Sequence, residues 1–529
     1  VTLLHDKINP TERTKPDAEA LIREARRLRR RRWTIFSLVV VLAAGGTVVG
    51  LVASGGTARP AQRTVLDFHA GGPTVDSKAF TGEGDLAFVS RGTVYVLDGG
   101  TKTLRRLALP NGFEPGAPSF SHDGRWLAVP AATNAAAPAN GETTLWIANA
   151  DGAQLHELRG FDGPQFLGWS PTSDVLAVTS QGEVPTTYRP PPGSAYVTKP
   201  TSLWLVSPNG VRRELVRPGS GMIDGATWSS DGSELAVGGL SGYPFQDHVP
   251  WTETLTGYPI DGAKPTVWLS IVNPRSNSCC NTVGLKQSQF IPVGWWPRWG
   301  IVFWGPSADV GSGLNGGGFP LFAAPPPGTK PILLGATAAG GQVSAIVASS
   351  SGEFAISNNP GNAGTRPFWQ SEQVLRCEPT TLSCAPVASP LGTVSFDPVW
   401  SPDGAQLAYL VGKGVDGPSE PGFEQKSVSS WYDSLQLWVY SANTGHAIEL
   451  PAARGAVVPI WSADSKSLLY VDNDGLWLLK DQESQPVEVA GPLLPPNNWN
   501  PYYAQVHWAG TFAWSQSQSV PQPSVLTPM

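Results

Sequence analysis

The chain has 529 residues, among them 59 Gly, 50 Pro and 21 Trp, and only 15% of its residues are charged. That composition suits short strands joined by many turns and argues against a protein built from long amphipathic helices. Residues 1–33 hold ten of the 36 basic and five of the 42 acidic side chains, so the remainder carries a net charge of −11, and without a basic stripe it argues against nucleic acid as the main partner.

In chain order, residues 1–33 form a basic tail. In "PDAEALIREARRLRRRRW" the positions Ala18, Leu21, Ile22, Ala25 and Leu28 follow helical spacing, with arginines on the other side. Such a helix fits a surface of anionic lipid, and it also offers a handle for a cytoplasmic partner. Residues 34–53, "TIFSLVVVLAAGGTVVGLVA", carry no charge. At about 1.5 Å of rise per residue they are long enough to cross a hydrocarbon core roughly 30 Å thick, and they are read as one transmembrane helix. The seven arginines between Arg23 and Arg32 keep the tail in the cytoplasm and place the large C-terminal part outside, as a single-pass protein of the plasma membrane. A cleaved signal peptide is the alternative, although its apolar core is normally only about 7 to 15 residues. Residues 54–75 read as a linker.

From residue 76 to 515 one unit recurs: an aromatic residue, a polar turn, a short apolar strand, a connection, and a second strand beginning near "LW". The clear copies start with "SFSHDGRWLAV" at Ser119, "GWSPTSDVLAV" at Gly168, "TWSSDGSELAV" at Thr227, "VWSPDGAQLAYL" at Val399 and "IWSADSKSLLYV" at Ile460. "GWWPRWGIVFW" at Gly294 fits with Trp295 in the aromatic place, "VSAIVASSSGEFAISN" at Val343 fits without an aromatic, and "GDLAFVSRGTVYVLDGG" at Gly84 opens the series. Asp-Gly supplies the positive φ of a tight turn, and alternating Leu, Ala and Val make half-buried strands. Such a sheet cannot bury both faces alone, whereas stacked copies in a closed ring can. The recurring aromatics Phe120, Trp169, Trp228, Trp295, Trp400 and Trp461 are read as packing between neighbouring units. The fold class is therefore all-β: one large β-propeller of four-stranded blades, eight expected and seven the alternative, preceded by one transmembrane helix. "VHWAGTFAWS" near the C-terminus looks like half a unit that closes the ring beside the first, and residues 516–529 form a tail.

These repeats resemble those of the TolB-type β-propellers, whose units carry "WSPDG", then "LA", then "LW". Trp400 to Gly404 with Leu407 and Ala408 match the pattern closely, and the resemblance covers roughly residues 80–515. It implies a bacterial-type envelope protein that binds other macromolecules. The tail and the anchor depart from that family, whose exported members carry a removable signal.

The connections between the second and third strands of the units are minimal at "RG" (91–92) and "ND" (473–474) and long in the middle units, with insertions read at 181–202, 240–266, 306–318, 359–371 and 412–434. All emerge on one face of a propeller. They carry Tyr188, Tyr196, Tyr243, Phe245, Trp251, Tyr258, Phe368, Trp369, Trp431 and Tyr432, and aromatics in Gly- and Pro-rich loops suit a protein or glycan partner. The structural alternative is that these rings fold back to cover the disc.

Export makes cysteines available for disulfides, and Cys377 and Cys384, in "RCEPTTLSCAP", are placed to face each other across a hairpin. Cys279 and Cys280 are adjacent, which leaves their state open. No catalytic residue is assigned. Gly-x-Ser-x-Gly and His-Glu-x-x-His are both missing from the sequence, and the seven histidines include no close pair. "VDNDGLW" from Val471 lacks the remaining ligands and the closing Glu of a calcium loop. No cofactor or metal is assigned. The expected function is a binding or scaffold module in the cell envelope, with the bilayer met through residues 34–53. A transmembrane regulator whose tail holds a transcription-related partner is one alternative, and a hydrolase with an unrecognised site is another.

Overall fold

The computed structural model describes residues 66–67 and 72–515, apart from 134–142, 183–200, 218–220, 242–250, 274–289, 297, 305–318, 328–329, 338–345, 349–351, 359–371, 415–429, 483, 494–498, 501–504, 507 and 509. The chain divides into two compact units, Val1–Gln62 and Arg63–Met529, and every described residue belongs to the second. The tail at 1–33, the span at 34–53 and the C-terminal 516–529 lie outside the described residues. Among the described residues no helix is long and apolar enough to cross a membrane.

The second unit is an eight-bladed β-propeller. Blade 3 shows the plan: strands Gln165–Trp169, Leu176–Gln181, Thr201–Val206 and Arg212–Val216 pair antiparallel in sequence order. We call the four strands of a blade a to d. Strand a lies beside strand a of the next blade, as the bridge between Ser229 of blade 4 and Trp295 of blade 5 records. Blades 2, 4, 5, 7 and 8 repeat this order, with strand a of blade 2 split into Phe113–Pro115 and Ser119–Phe120. Blade 6 has a strand a of only three residues, Ile346–Ala348, and its strand b joins the outer strand of blade 5 through the backbone pair of Thr337 with Asn358.

The ring closes twice. Phe512–Trp514 supplies strand a of blade 1 by pairing with Asp85–Ser90, as the half unit in the sequence anticipates. At the other edge Thr74–Val75 adds to the outer strand of blade 8, Val487–Gly491, and Leu66–Asp67 adds beyond it. The stretch read as a linker to residue 75 therefore contains two short strands.

The recurring turn has a shared chemistry. In blades 2, 4, 7 and 8 the hydroxyls of Ser121, Ser229, Ser401 and Ser462 donate to the Asp two residues on at 2.6 to 2.7 Å, and accept the amide five residues on at 2.9 to 3.1 Å. Positive φ is needed at the next position, 70° at Gly124, 69° at Gly232 and 72° at Gly404, and in blade 8 Ser465 takes it at 63°. The turn thus satisfies its own polar groups and leaves the strands in register.

The aromatic that precedes each turn works between blades. The indole N–H of Trp169 donates to Ser119 O of blade 2 at 3.0 Å, that of Trp228 to Gly168 O of blade 3 at 3.4 Å, and that of Trp461 to Val399 O of blade 7 at 3.1 Å. Each of these three Trp reaches the carbonyl just before its counterpart in the preceding blade, a bond that a plain apolar residue filling the same space would not make. At the seam Trp514 donates instead to the Glu83 carbonyl, and Phe80 packs against its ring. Blade 6 lacks the aromatic, and blade 5 compensates: Trp296 stacks on Phe354 of blade 6 at 5.5 Å and Trp299, fully buried, meets the same ring at 4.5 Å.

Candidate functional site

Within each antiparallel blade the a–b and c–d turns lie on one rim and the b–c connections on the other. The first and last b–c connections are two-residue turns. Arg91 and Gly92 have φ of 49° and 72°, and Asn473 and Asp474 have 47° and 64°, the double positive φ that hairpin twist favours. The insertions at 183–200, 242–250, 305–318, 359–371 and 415–429 open from the same rim and lie outside the described residues.

Tyr188, Tyr196, Tyr243, Phe245, Phe368 and Trp369 fall within those segments and therefore lie outside the described residues. Blade 4 requires a correction. The stretch 240–266, expected as one insertion, contains the end of strand b, a connection at 242–250 and the whole of strand c, Trp251–Pro259; "TVWLSIVN", expected as strand c, is strand d, Thr266–Asn273. Its "LW"-like start mimics strand c, while the true strand c, "WTETLTGYP", hides its pattern behind alternating threonines. Trp251 opens this strand on the connection rim. Tyr258 sits at its far end, opposite Leu235 on the turn rim, and packs into the core between blades 3 and 4, where burial raises its phenol pKa. It is not on the connection face.

Cys377 and Cys384 form a disulfide across strands c and d of blade 6, in direct register. Cys279 and Cys280 lie outside the described residues.

Trp431 and Tyr432 are the candidate aromatics on the connection rim whose side chains the structure describes, in a helical turn before strand c of blade 7. Trp431 stacks on Phe396 at 5.8 Å, meets Tyr432 edge-on at 5.2 Å and donates its indole N–H to Lys413 O at 2.9 Å. A Cβ at Gly412 would stand 2.8 Å from the Trp431 ring, so the glycine at the end of strand b makes room for it. Both rings are half-buried against the core of blades 7 and 8. The expectation that the loop aromatics fold back over the disc describes this pair.

Beneath them, sequence reasoning missed two acids at the junction of blades 6 and 7. Glu372 immediately precedes strand c of blade 6, Gln373–Glu378, and its side chain is fully buried. Asp397 occupies a bulge in strand a of blade 7, with φ of 50° and 5% exposure. The backbone ties the two blades together here: Ser395 N donates to Glu372 O at 3.0 Å, Val374 N to Ser395 Oγ at 2.9 Å, and Asp397 N to Ser357 Oγ at 3.1 Å. Burial, then the charge of Asp397, pushes the Glu372 carboxyl well above the usual range. Burial, then Asp397 and Glu372, does the same to the Tyr432 phenol. Further round the rim Asp224, at the bulge of strand a in blade 4, is pushed up to about 7 by burial. The sequence signal was available in principle, since "DPVW" at Asp397 is "VPIW" at Val458 in blade 8, an acid where the sibling bulge has valine.

An open groove lies on the turn rim between blades 1 and 2, lined by Asp85, Asp98, Arg125, Trp126, Asn149 and Asp151. Burial, with Asp98 and Asp151 adding negative charge, pushes Asp85 up to about 6. Among the described residues no three His, Cys, Asp or Glu side chains converge as a metal cluster.

The fold and its rims define the class, an eight-bladed β-propeller. No family model matches the chain, and no curated protein matches it. Similar solved structures include an oligogalacturonate lyase in complex with manganese, at 11% identity over 77% of this chain and 85% of that chain, TM-score 0.37. They also include a Pyrococcus horikoshii acylaminoacyl peptidase, at 12% identity over 71% of this chain and 52% of that chain, TM-score 0.38. A third is the β-propeller domain of the Trilobed protease from Pyrococcus furiosus, at 10% identity over 73% of this chain and 98% of that chain, TM-score 0.39.

Proposed function

We propose that this chain is a membrane-anchored, exported propeller of the TolB type that serves as a binding or scaffold module in the cell envelope, docking a protein or glycan on the b–c face. Residues 34–53 hold it in the plasma membrane, residues 1–33 face the cytoplasm and the blades face outward. The observation that carries the reading is the division of labour between the rims. The recurring turns are short and satisfied by their own Ser and Asp, whereas five consecutive b–c connections are elaborated and four of them carry aromatics, 305–318 being the one without. Blades 1 and 8 close with two-residue connections, so a blade does not require such insertions, and binding is the use assigned to them.

The test is a cross-linked pull-down from solubilised membranes with the full chain, compared with chains in which 183–200 or 242–250 is replaced by a short Gly-Ser turn. Loss of one defined partner with a loop, at unchanged melting temperature, supports the reading. The same partner captured equally by all three moves docking off this face.

A further inference from the structure

Glu372 is an anomaly among the buried polar side chains. It has no exposed surface, and neither carboxylate oxygen has a hydrogen-bond partner among the described residues. Leaving an ionised carboxylate so placed is strongly unfavourable unless a proton or a cation compensates it. Asp397 makes the demand greater, because it adds a second buried carboxylate near enough for its charge to act on Glu372.

The fold does not require an acid there. The equivalent bulge in blade 8 has the same left-handed backbone, φ of 51°, with Val458 followed by Pro459, where blade 7 has Asp397 followed by Pro398. The bulge therefore tolerates an apolar side chain, and the one facing Glu372 carries a carboxylate instead. The side-chain groups that the fold brings to this junction offer oxygen: the Glu372 and Asp397 carboxylates, the Tyr432 phenol, and the Ser357 and Ser395 hydroxyls that accept the Asp397 and Val374 amides. An all-oxygen set with two negative charges suits a hard divalent cation, Ca²⁺ above all, whose remaining positions backbone carbonyls and water can fill.

We propose that Glu372 and Asp397, beside Tyr432, form a binding site for a hard divalent cation that ties the start of strand c in blade 6 to the bulge of blade 7. The ion compensates the buried charge and fixes the Trp431–Tyr432 turn on the connection rim. This site stands whether or not a partner docks on that rim.

The experiment uses the full chain in detergent, melted in EDTA and then with increasing CaCl₂ or MgCl₂, with Tb³⁺ as a luminescent stand-in excited through nearby aromatic rings. The expected result is a saturable rise in melting temperature of about 2 to 5 °C with Ca²⁺, and Tb³⁺ emission that Ca²⁺ displaces. Glu372→Gln loses both responses and, in EDTA, melts no lower than the wild type, because the substitution removes the uncompensated charge. Asp397→Asn gives the second reading, with a weakened Ca²⁺ response, should Glu372→Gln fail to fold. A wild-type melting temperature indifferent to Ca²⁺, or a full Ca²⁺ response in a folded variant of either residue, overturns the proposal; the first outcome assigns the compensation to a proton.

Discussion

Aspartates that cap the repeated turns and acids buried near the connection rim face opposite conditions, and Asp85, which lines the turn-rim groove without capping a repeated turn, is pushed up like the buried acids. On the turn rim hydrogen bonds from Ser229 and Ser233 pull Asp231 below the usual range, Ser462 leads the same effect on Asp464, and at Asp123 and Asp403 such bonds outweigh an opposing contribution from burial. On the connection rim burial dominates, and Asp224 and Glu372 are pushed up. Carboxylates that cap a repeated turn are part of the scaffold. Carboxylates buried without donors cost stability, and a fold retains them where they do something else.

The largest effect should come from breaking the ring that both rims stand on. Removing residues 511–529 takes away strand a of blade 1, and we expect loss of cooperative melting by circular dichroism. Trp514→Ala alone should cost about 3 to 5 kcal/mol from the buried ring.

A finer cut separates the indole bond from the indole volume. Trp461 donates to blade 7, whereas the buried Trp400 N–H, next to the irregular blade 6, has no partner among the described residues. Trp461→Phe should therefore cost about 1 to 2 kcal/mol more than Trp400→Phe in urea melts. Equal losses would show that packing alone fixes the repeat.

The rim contrast predicts opposite pH dependences. Asp224 titrates near 7 when folded and near 3.8 as an ordinary carboxyl, so the folded protein keeps a proton that the unfolded chain has released. Stability then falls as pH rises from about 4 to 7, and Asp224→Asn should raise the melting temperature at pH 8 while changing little at pH 4. The smallest effect belongs to Asp123, held at about 2. Its contribution is complete above about pH 4 and is lost as pH falls through about 2, so Asp123→Asn should flatten only the acid end of the profile.

Much of the architecture was legible because its requirements are local. A Ser-x-Asp-Gly turn satisfies itself within six residues, and "FAWS" near the C-terminus is recognisable as half of the same unit. Blade 4 was misread because strand c, "WTETLTGYP", lacks the apolar run and strand d, "TVWLSIVN", imitates it. The Cys377–Cys384 pair followed from hairpin spacing. The Glu372–Asp397 pair did not, because residues 25 apart on two blades meet only once the ring is built. Tyr258, placed on a loop by the same misreading, belongs to the core.

The most direct test of the two-rim account is site-specific photo-cross-linking in membranes, with the reactive residue at exposed Ser430 on the connection rim or at exposed Asn209 on the turn rim. The account predicts a discrete adduct from position 430 and none from position 209. An adduct from 209 with none from 430 would contradict it.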